Sequence, residues 1–237
     1  MTYWSIVVKL FPHKSGSAPS AQATLQKGVS AAMSFYGEHI YPHLVNGLGD
    51  PRPIREIRAQ LMPLAHGTVL EIGVGPGANF VHYDATKVTK LLALEPNRGM
   101  IRLAENRRRD TSLKVDFLDL LGERIPLDDH SVDTVVSTFT LCTIPKVTAA
   151  IQGLRRMLRP DGRLIFLEHG LAPDPAVQRW QRWSEPIPNY VFEGCHVMRD
   201  IPCLITAGGF RIERIETAYL APFPKSWSYC FWGAASP

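Results

Sequence analysis

Residues 69–79 read "VLEIGVGPGAN", an apolar run that ends in an acid and then places glycines at 73, 75 and 77. An apolar strand emptying into a glycine turn fits the first unit of a doubly wound α/β sheet. In such sheets ligands bind outside the carboxyl ends of the strands, so the first turn must approach them closely. Glycine permits this because it reaches positive φ without strain and carries no Cβ to hold a ligand off.

The chain downstream has the pattern this frame needs. The runs "TVLEI", "KLLALE", "KVDFL", "VDTVVST", "RLIFLEH", "FRIERIET" and "WSYCFWGA" read as seven strands, and "PNRGMIRLAENRRR" and "VTAAIQGLRRML" read as helices between them. Near-continuous apolar strands separated by helices imply a mostly parallel sheet covered on both faces, and right-handed crossovers make it doubly wound. Upstream, residues 12–24 read as a connection. A helix follows up to a break at Pro42, and "IREIRAQLMPLA" reads as a second helix entering the first strand. Residues 1–64 are thus expected as a helical cap on a core spanning 65–237, the two forming one domain. The Pro-, Trp- and Arg-rich insertion 171–200 is placed to cover the site.

With 237 residues, 45% hydrophobic and 20% charged, the chain can bury a core and an active site. Its net charge of +4 is small. The basic runs at 107–109 and 155–159 lie in helical patterns and read as solvated faces, so no nucleic-acid partner is expected. The apolar stretch in "MTYWSIVVKLF" is far shorter than a membrane span and lacks signal-peptide flanks. Cysteines 142, 195, 203 and 230 form no CxxC pair and have no histidines at ligand spacing. Reduced cytoplasmic thiols and no metal are the expectation.

The turn spacing is GxGxG rather than GxGxxG, and Glu71 precedes it immediately. A carboxylate there competes with a pyrophosphate and suits a cation. Glu95 ends the second strand some twenty residues on, where an acid accepts hydrogen bonds from ribose hydroxyls. A ribose together with a positive end describes S-adenosylmethionine.

The successive motifs "VLEIGVGPGANF", "ALEPN", "GERIPLDDHSVDTVV", "LRRMLRPDGRLIFLEH" and "AGGF" resemble those of the class I S-adenosylmethionine-dependent methyltransferases over about residues 65–232. "GANF", "TLCTI", "FLEH" and "FEGCHVMRD" resemble more narrowly the alkyl thiol methyltransferases and their bacterial relatives. The broad resemblance implies that Gly73, Gly75, Gly77 and Asn79 line the methionine and ribose portion. It implies that Glu71 orients the amino group, that Glu95 holds the ribose, and that Pro96, Asn97 and Met100 pack the adenine. Gly122 and Glu123 would meet the adenine edge, with Leu121 standing where the family often has Asp. Thr138, Phe139 and Cys142 would border the sulfonium and the acceptor.

Methyl transfer from a sulfonium needs alignment, dryness and a deprotonated nucleophile rather than many catalytic side chains. For a thiol acceptor His169 is the candidate base or orienting donor, with simple packing as its alternative. Arg199 could stabilise a thiolate or could tie the insertion to Glu185 or Glu193. Cys195 joins these candidates, although direct transfer needs no covalent nucleophile and a buried packing role competes. Tyr36, Tyr41, Tyr190 and His196, with Trp180 and Trp183, are candidates for an acceptor-covering wall. The expected partner is a small-molecule acceptor, a thiol or sulfide. Methylation of a quinone precursor or phospholipid headgroup, with weak membrane association, is the alternative, followed by a non-catalytic cofactor-binding module.

Overall fold

The computed structural model describes residues 35–118 and 127–237. Seven strands form one sheet: β1 (Gly67–Ile72), β2 (Val88–Leu94), β3 (Val115–Leu118), β4 (Val132–Thr138), β5 (Leu158–His169), β6 (Arg211–Tyr219) and β7 (Tyr229–Ser236). Their order is β3-β2-β1-β4-β5-β7-β6, parallel from β3 to β5, with β7 antiparallel to both neighbours. The order reverses between β1 and β4, so a crevice opens at their carboxyl ends.

The central strands are apolar along their length because both faces are covered. Leu70, Ile72, Leu92, Leu94, Val135, Leu164 and Phe166 join one buried cluster, whereas Val69, Leu91, Ala93, Val136, Ile165 and Leu167 join another. The period of two sends alternate residues to opposite layers. Each fully buried side chain of this size contributes about 1.5–3 kcal/mol.

The helices are α1 (Tyr41–Leu48), α2 (Arg52–Leu61), α3 (Arg98–Arg108), α4 (Val147–Met157), α5 (Pro175–Ser184), α6 (Pro186–Val191), α7 (Ile201–Ala207) and the short α8 (Lys225–Ser228). Pro42 does not break a helix, contrary to the sequence expectation. A π-helical turn, Tyr36–Ile40, precedes it, and Pro42 lies in the first turn of α1, where its missing N–H costs nothing. Between β1 and β2 there is only a 3₁₀ turn, Phe80–His82, in place of a crossover helix. Phe80 and Tyr83 pack there with Ile54, Ile57 and Leu61 of α2, so α2 completes the layer that a crossover helix would otherwise supply. The segment after β5 folds into α5 and α6 and brings Pro188, Phe192, Cys195 and Val197 to the crevice as a cover. No helix among the described residues is long and apolar enough to cross a membrane.

Candidate active site

The crevice holds a cavity with an empty volume of about 1170 Å³, open solvent at its mouth included.

The glycine turn forms part of its wall, and its glycines do different work. Gly73 (φ 64°) backs onto the Thr140 side chain, where a Cβ would collide with Oγ1, and Gly77 packs on Phe80 and Ala104. Gly75 (φ 56°) faces open space, its nearest non-neighbour atom being Gly73 O at 4.0 Å. Gly75 is therefore the glycine whose missing side chain leaves room for a ligand. Gly77 does not line the cavity; its small size serves packing against the neighbouring helix.

Glu95 is buried and lines the cavity. It accepts hydrogen bonds from Gly75 N (2.7 Å) and Asn97 N (2.9 Å), which clamps the glycine turn to the end of β2. Met100 lines the same cavity. Asn97 instead caps α3, accepting from Met100 N and donating to Gly37 O at 2.6 Å, which ties the N-terminal segment down. Pro96 is half-buried beside it and also lies off the cavity wall. Gly122 and Glu123 fall outside the described residues.

Glu71 and Asn79 lie one layer behind the wall. Glu71 accepts from Asn79 Nδ2 (2.7 Å) and Tyr83 Oη (2.8 Å), and Asn79 Oδ1 accepts from Arg58 at 2.5 Å. Burial lifts the Glu71 carboxyl to about 7, against the opposing hydrogen bonds of Tyr83 and Asn79 and the Arg58 charge. Glu71 itself does not line the cavity, and Asn79 links it to Arg58, which does.

Arg58 is the residue sequence reading missed. It is 6% exposed and lines the cavity, donates to Thr138 Oγ1 at 3.3 Å, and lies 3.2 Å from Asp50 and 5.8 Å from the Phe139 ring centre. Its signal was its phase: it follows Ile54 by four residues and precedes Leu61 by three, so an arginine sits on the apolar face of α2.

At the carboxyl ends of β4 and β5 and in the loop after β4, Thr138, Phe139, Cys142 and His169 all line the cavity. Phe139 takes a left-handed backbone (φ 54°) at the end of β4, and its ring lies 4.5 Å from that of His169. Non-glycine residues hold that conformation at a cost and concentrate at functional sites. Glu168, buried and not singled out from sequence, accepts from Ser137 Oγ (2.6 Å) and from the backbone N–H groups of Thr140 (3.1 Å), Leu141 (3.0 Å) and Cys142 (3.1 Å). One carboxylate thereby fixes the loop that carries Cys142.

Cys195 enters from the covering segment. Its Sγ lies 3.7 Å from Cys142 Sγ and 3.7 Å from His169 Nδ1. The hydrogen bond shared with Cys142 and the charge and hydrogen bond of His169 hold the Cys195 thiol down at about 5 despite burial. Burial and the Cys195 neighbour push Cys142 well above the usual thiol range. Burial opposes charge on His169, but Cys230 and Cys195 outweigh it and hold the imidazolium well above the usual range. Though scattered in sequence, Cys142, His169 and Cys195 bring their ligand atoms within 4.8 Å of one another.

Other candidates do not reach the cavity. Arg199 donates to the Leu141 carbonyl, binding the cover to the Cys142 loop rather than facing an acceptor. His196 pairs with Glu185 at 2.9 Å through its ring while its N–H bonds Cys142 O at 2.8 Å. Tyr36 donates to Val191 O at 2.9 Å, and Tyr190 is 69% exposed, as are Trp180 (62%) and Trp183 (72%). Tyr41 does line the cavity, and Phe192, Phe223 and Trp227 supply the aromatic wall expected of the others.

With this geometry in view, residues 70–166 match a family described as a methyltransferase domain. A S-adenosylmethionine-dependent methyltransferase from Aquifex aeolicus superposes with a TM-score of 0.57 at 21% identity, covering 82% of this chain and 97% of that one. Residues 70–166 thus carry a methyltransferase domain, on a fold shared with solved S-adenosylmethionine-dependent methyltransferases. The chain is similar to thiol S-methyltransferase TMT1B of Rattus norvegicus, at 34% identity over 56% of this chain and 55% of the relative. It is also similar to the demethylmenaquinone methyltransferase of Clavibacter sepedonicus, at 26% identity over 49% of this chain and 47% of the relative. The chain thus spans about half the length of the curated relatives it matches.

Proposed function

We propose that the protein transfers the methyl group of S-adenosylmethionine to a small thiol or sulfide by direct in-line displacement. The observation that carries this reading is the Cys142–His169–Cys195 wall, set among Phe139, Phe192, Val197 and Trp227 in the same cavity as Gly75 and Glu95. The thiol methyltransferase relatives support it.

The cavity residues fit the donor. Gly75 leaves space where a Cβ would stand, Glu95 would accept the ribose hydroxyls, and Met100 would pack the adenine. Arg58, buried and cationic beside Thr138, would pair with the methionine carboxylate. S-adenosylmethionine supplies an electrophilic methyl on a sulfonium leaving group. The chain's own part is alignment and water exclusion by Phe192, Val197 and Trp227, and stabilisation of the acceptor thiolate beside His169. The balance is a thiol and the sulfonium donor giving a thioether, S-adenosylhomocysteine and a proton.

The decisive test is an acceptor panel of sulfide, methanethiol, a longer alkyl thiol, a quinol and an amine, read as S-adenosylhomocysteine release. Turnover with the thiols at rates at least tenfold above the others supports the reading, and turnover only with the quinol overturns it. The quinol alternative draws on the exposed Trp180, Trp183, Ile187 and Tyr190 on the cover, where a lipidic acceptor could approach.

A further inference from the structure

We propose that Cys142, Cys195 and His169 form a soft-metal site, best suited to zinc, whose fourth position takes the acceptor sulfur. The inference deepens the thiol reading and rests on it only for the identity of that fourth ligand.

The geometry argues for it first. Tetrahedral zinc takes thiolates at about 2.3 Å and imidazole nitrogen at about 2.0–2.1 Å, which sets sulfur pairs about 3.8 Å apart and sulfur–nitrogen pairs about 3.6 Å apart. The Cys142–Cys195 Sγ separation and the Cys195 Sγ–His169 Nδ1 separation are both 3.7 Å. Two edges of a tetrahedron are therefore present and the third pair of ligand atoms lies within 4.8 Å, with all three ligands on the cavity wall. Three protein ligands with one open position is the donor count of catalytic rather than structural zinc, and two thiolates with one imidazole is one of its established sets.

The supports around the ligands argue second. Glu168 accepts from Cys142 N at 3.1 Å, fixing one ligand's backbone. His196 N donates to Cys142 O at 2.8 Å and Arg199 donates to Leu141 O, so the segment bearing Cys195 is tied to the loop bearing Cys142. Cys230, opposite His169 in the β5–β7 register, interacts with the imidazole and would help set its orientation. Ligands held by outer partners in this way are pre-organised for a metal.

The chemistry is complete without a further reactant. The thiol binds as thiolate and gives its proton to solvent. The thiolate sulfur then attacks the methyl carbon as the carbon–sulfonium bond breaks, and the neutral thioether, a weaker ligand, leaves the metal. Metal binding likewise displaces the protons of the cysteine ligands and leaves His169 neutral.

The test uses the full chain stripped of metal with a chelator and titrated with Co²⁺, which reports tetrahedral thiolate ligation by intense visible bands and a sulfur-to-metal charge-transfer band. We expect saturation at one ion per chain. Cys142→Ser, Cys195→Ser and His169→Ala should each weaken Co²⁺ binding by more than the 10–100-fold lost when only an outer partner is removed. Cys203→Ser, at an exposed cysteine remote from the cluster, should bind as the parent does. Methanethiol should shift the charge-transfer band and dimethyl sulfide should not. Absence of the bands in parent protein that still binds S-adenosylmethionine overturns the site, as does their persistence in the Cys142→Ser/Cys195→Ser double variant. Bands without methyl transfer to any thiol would sink the thiol reading and leave the metal site standing. Full thiol methylation by metal-free protein would overturn the metal's hold on the acceptor sulfur and leave the thiol reading standing.

Discussion

Cys142 and Cys195, 53 residues apart in the chain, hold their sulfur atoms 3.7 Å apart at the wall of the cavity. The contact depends on Glu168, whose carboxylate collects three backbone N–H groups and the Ser137 hydroxyl behind the Cys142 loop. Glu168→Ala leaves these donors buried without an acceptor, at about 1–3 kcal/mol for each left unsatisfied. Denaturant unfolding should show a loss of several kcal/mol. Glu168→Gln, which restores an acceptor, should recover part of it. Equal stability of parent and Glu168→Ala would contradict the role.

The glycine turn yields a split between folding and binding. A Cβ at Gly75 comes no nearer than 4.0 Å to the rest of the protein beyond its chain neighbours, at Gly73 O, and Gly75 lines the cavity. Gly75→Val should therefore weaken S-adenosylmethionine binding by at least tenfold in calorimetric titration, with a stability cost set chiefly by its positive φ, about 1–2 kcal/mol. Gly73→Ala meets Thr140 as well and should show the larger stability loss, since overpacking adds about 1–3 kcal/mol. The reverse order of the two effects would refute the division of labour.

Arg58 joins Asn79, Thr138 and Asp50 in a buried network. Removing one partner of such a pair costs about 3–5 kcal/mol, so Arg58→Ala should be severely destabilised. Among variants that still fold, Arg58→Lys should lose affinity for S-adenosylmethionine. It should keep its affinity for 5′-methylthioadenosine, which lacks the amino-acid carboxylate. Parallel losses for both ligands would show that Arg58 acts on the fold alone.

Glu71 makes stability depend on pH. Its folded carboxyl sits at about 7 against an ordinary 4.5, so the folded chain keeps a proton that the unfolded chain has released between those values. Stability from this group therefore falls as pH rises from about 4.5 to about 7 and is flat outside that window. Glu71→Gln removes the dependence while adding a pH-independent cost from the lost acceptor. The stability of the variant relative to the parent should rise by roughly 3 kcal/mol across the window. A difference that stays constant with pH would place the carboxyl at its ordinary value.

The sheet was legible because its strands need no partner to declare themselves. Near-continuous apolar runs such as "TVLEI" and "VDTVVST" are what burial on both faces requires, and Glu95 followed from the period of the first βα unit. The insertion after β5 was equally visible in "PDPAVQRWQRW". Less legible were features set by tertiary neighbours. Pro42 opens a helix rather than ending one, because a π-helical turn precedes it. Arg58 and Glu168 acquire meaning only when distant backbone and side chains converge on them. Of the tyrosines proposed for the acceptor wall, Tyr41 lines the cavity but Tyr36 and Tyr190 do not, and Phe192, Phe223 and Trp227 complete the wall, since aromatic content alone does not set direction. Cysteines far apart in sequence met across the cavity because strand order places the end of β4 beside the end of β5, where the cover folds back.

The most direct test of the account is transfer of an isotopically labelled methyl group from S-adenosylmethionine to methanethiol or sulfide, followed by mass spectrometry. The account predicts labelled S-methyl product in equal amount to S-adenosylhomocysteine, lost in Gly75→Val. Labelled product confined to a quinol acceptor, or cofactor binding with no labelled product from any acceptor, would contradict it.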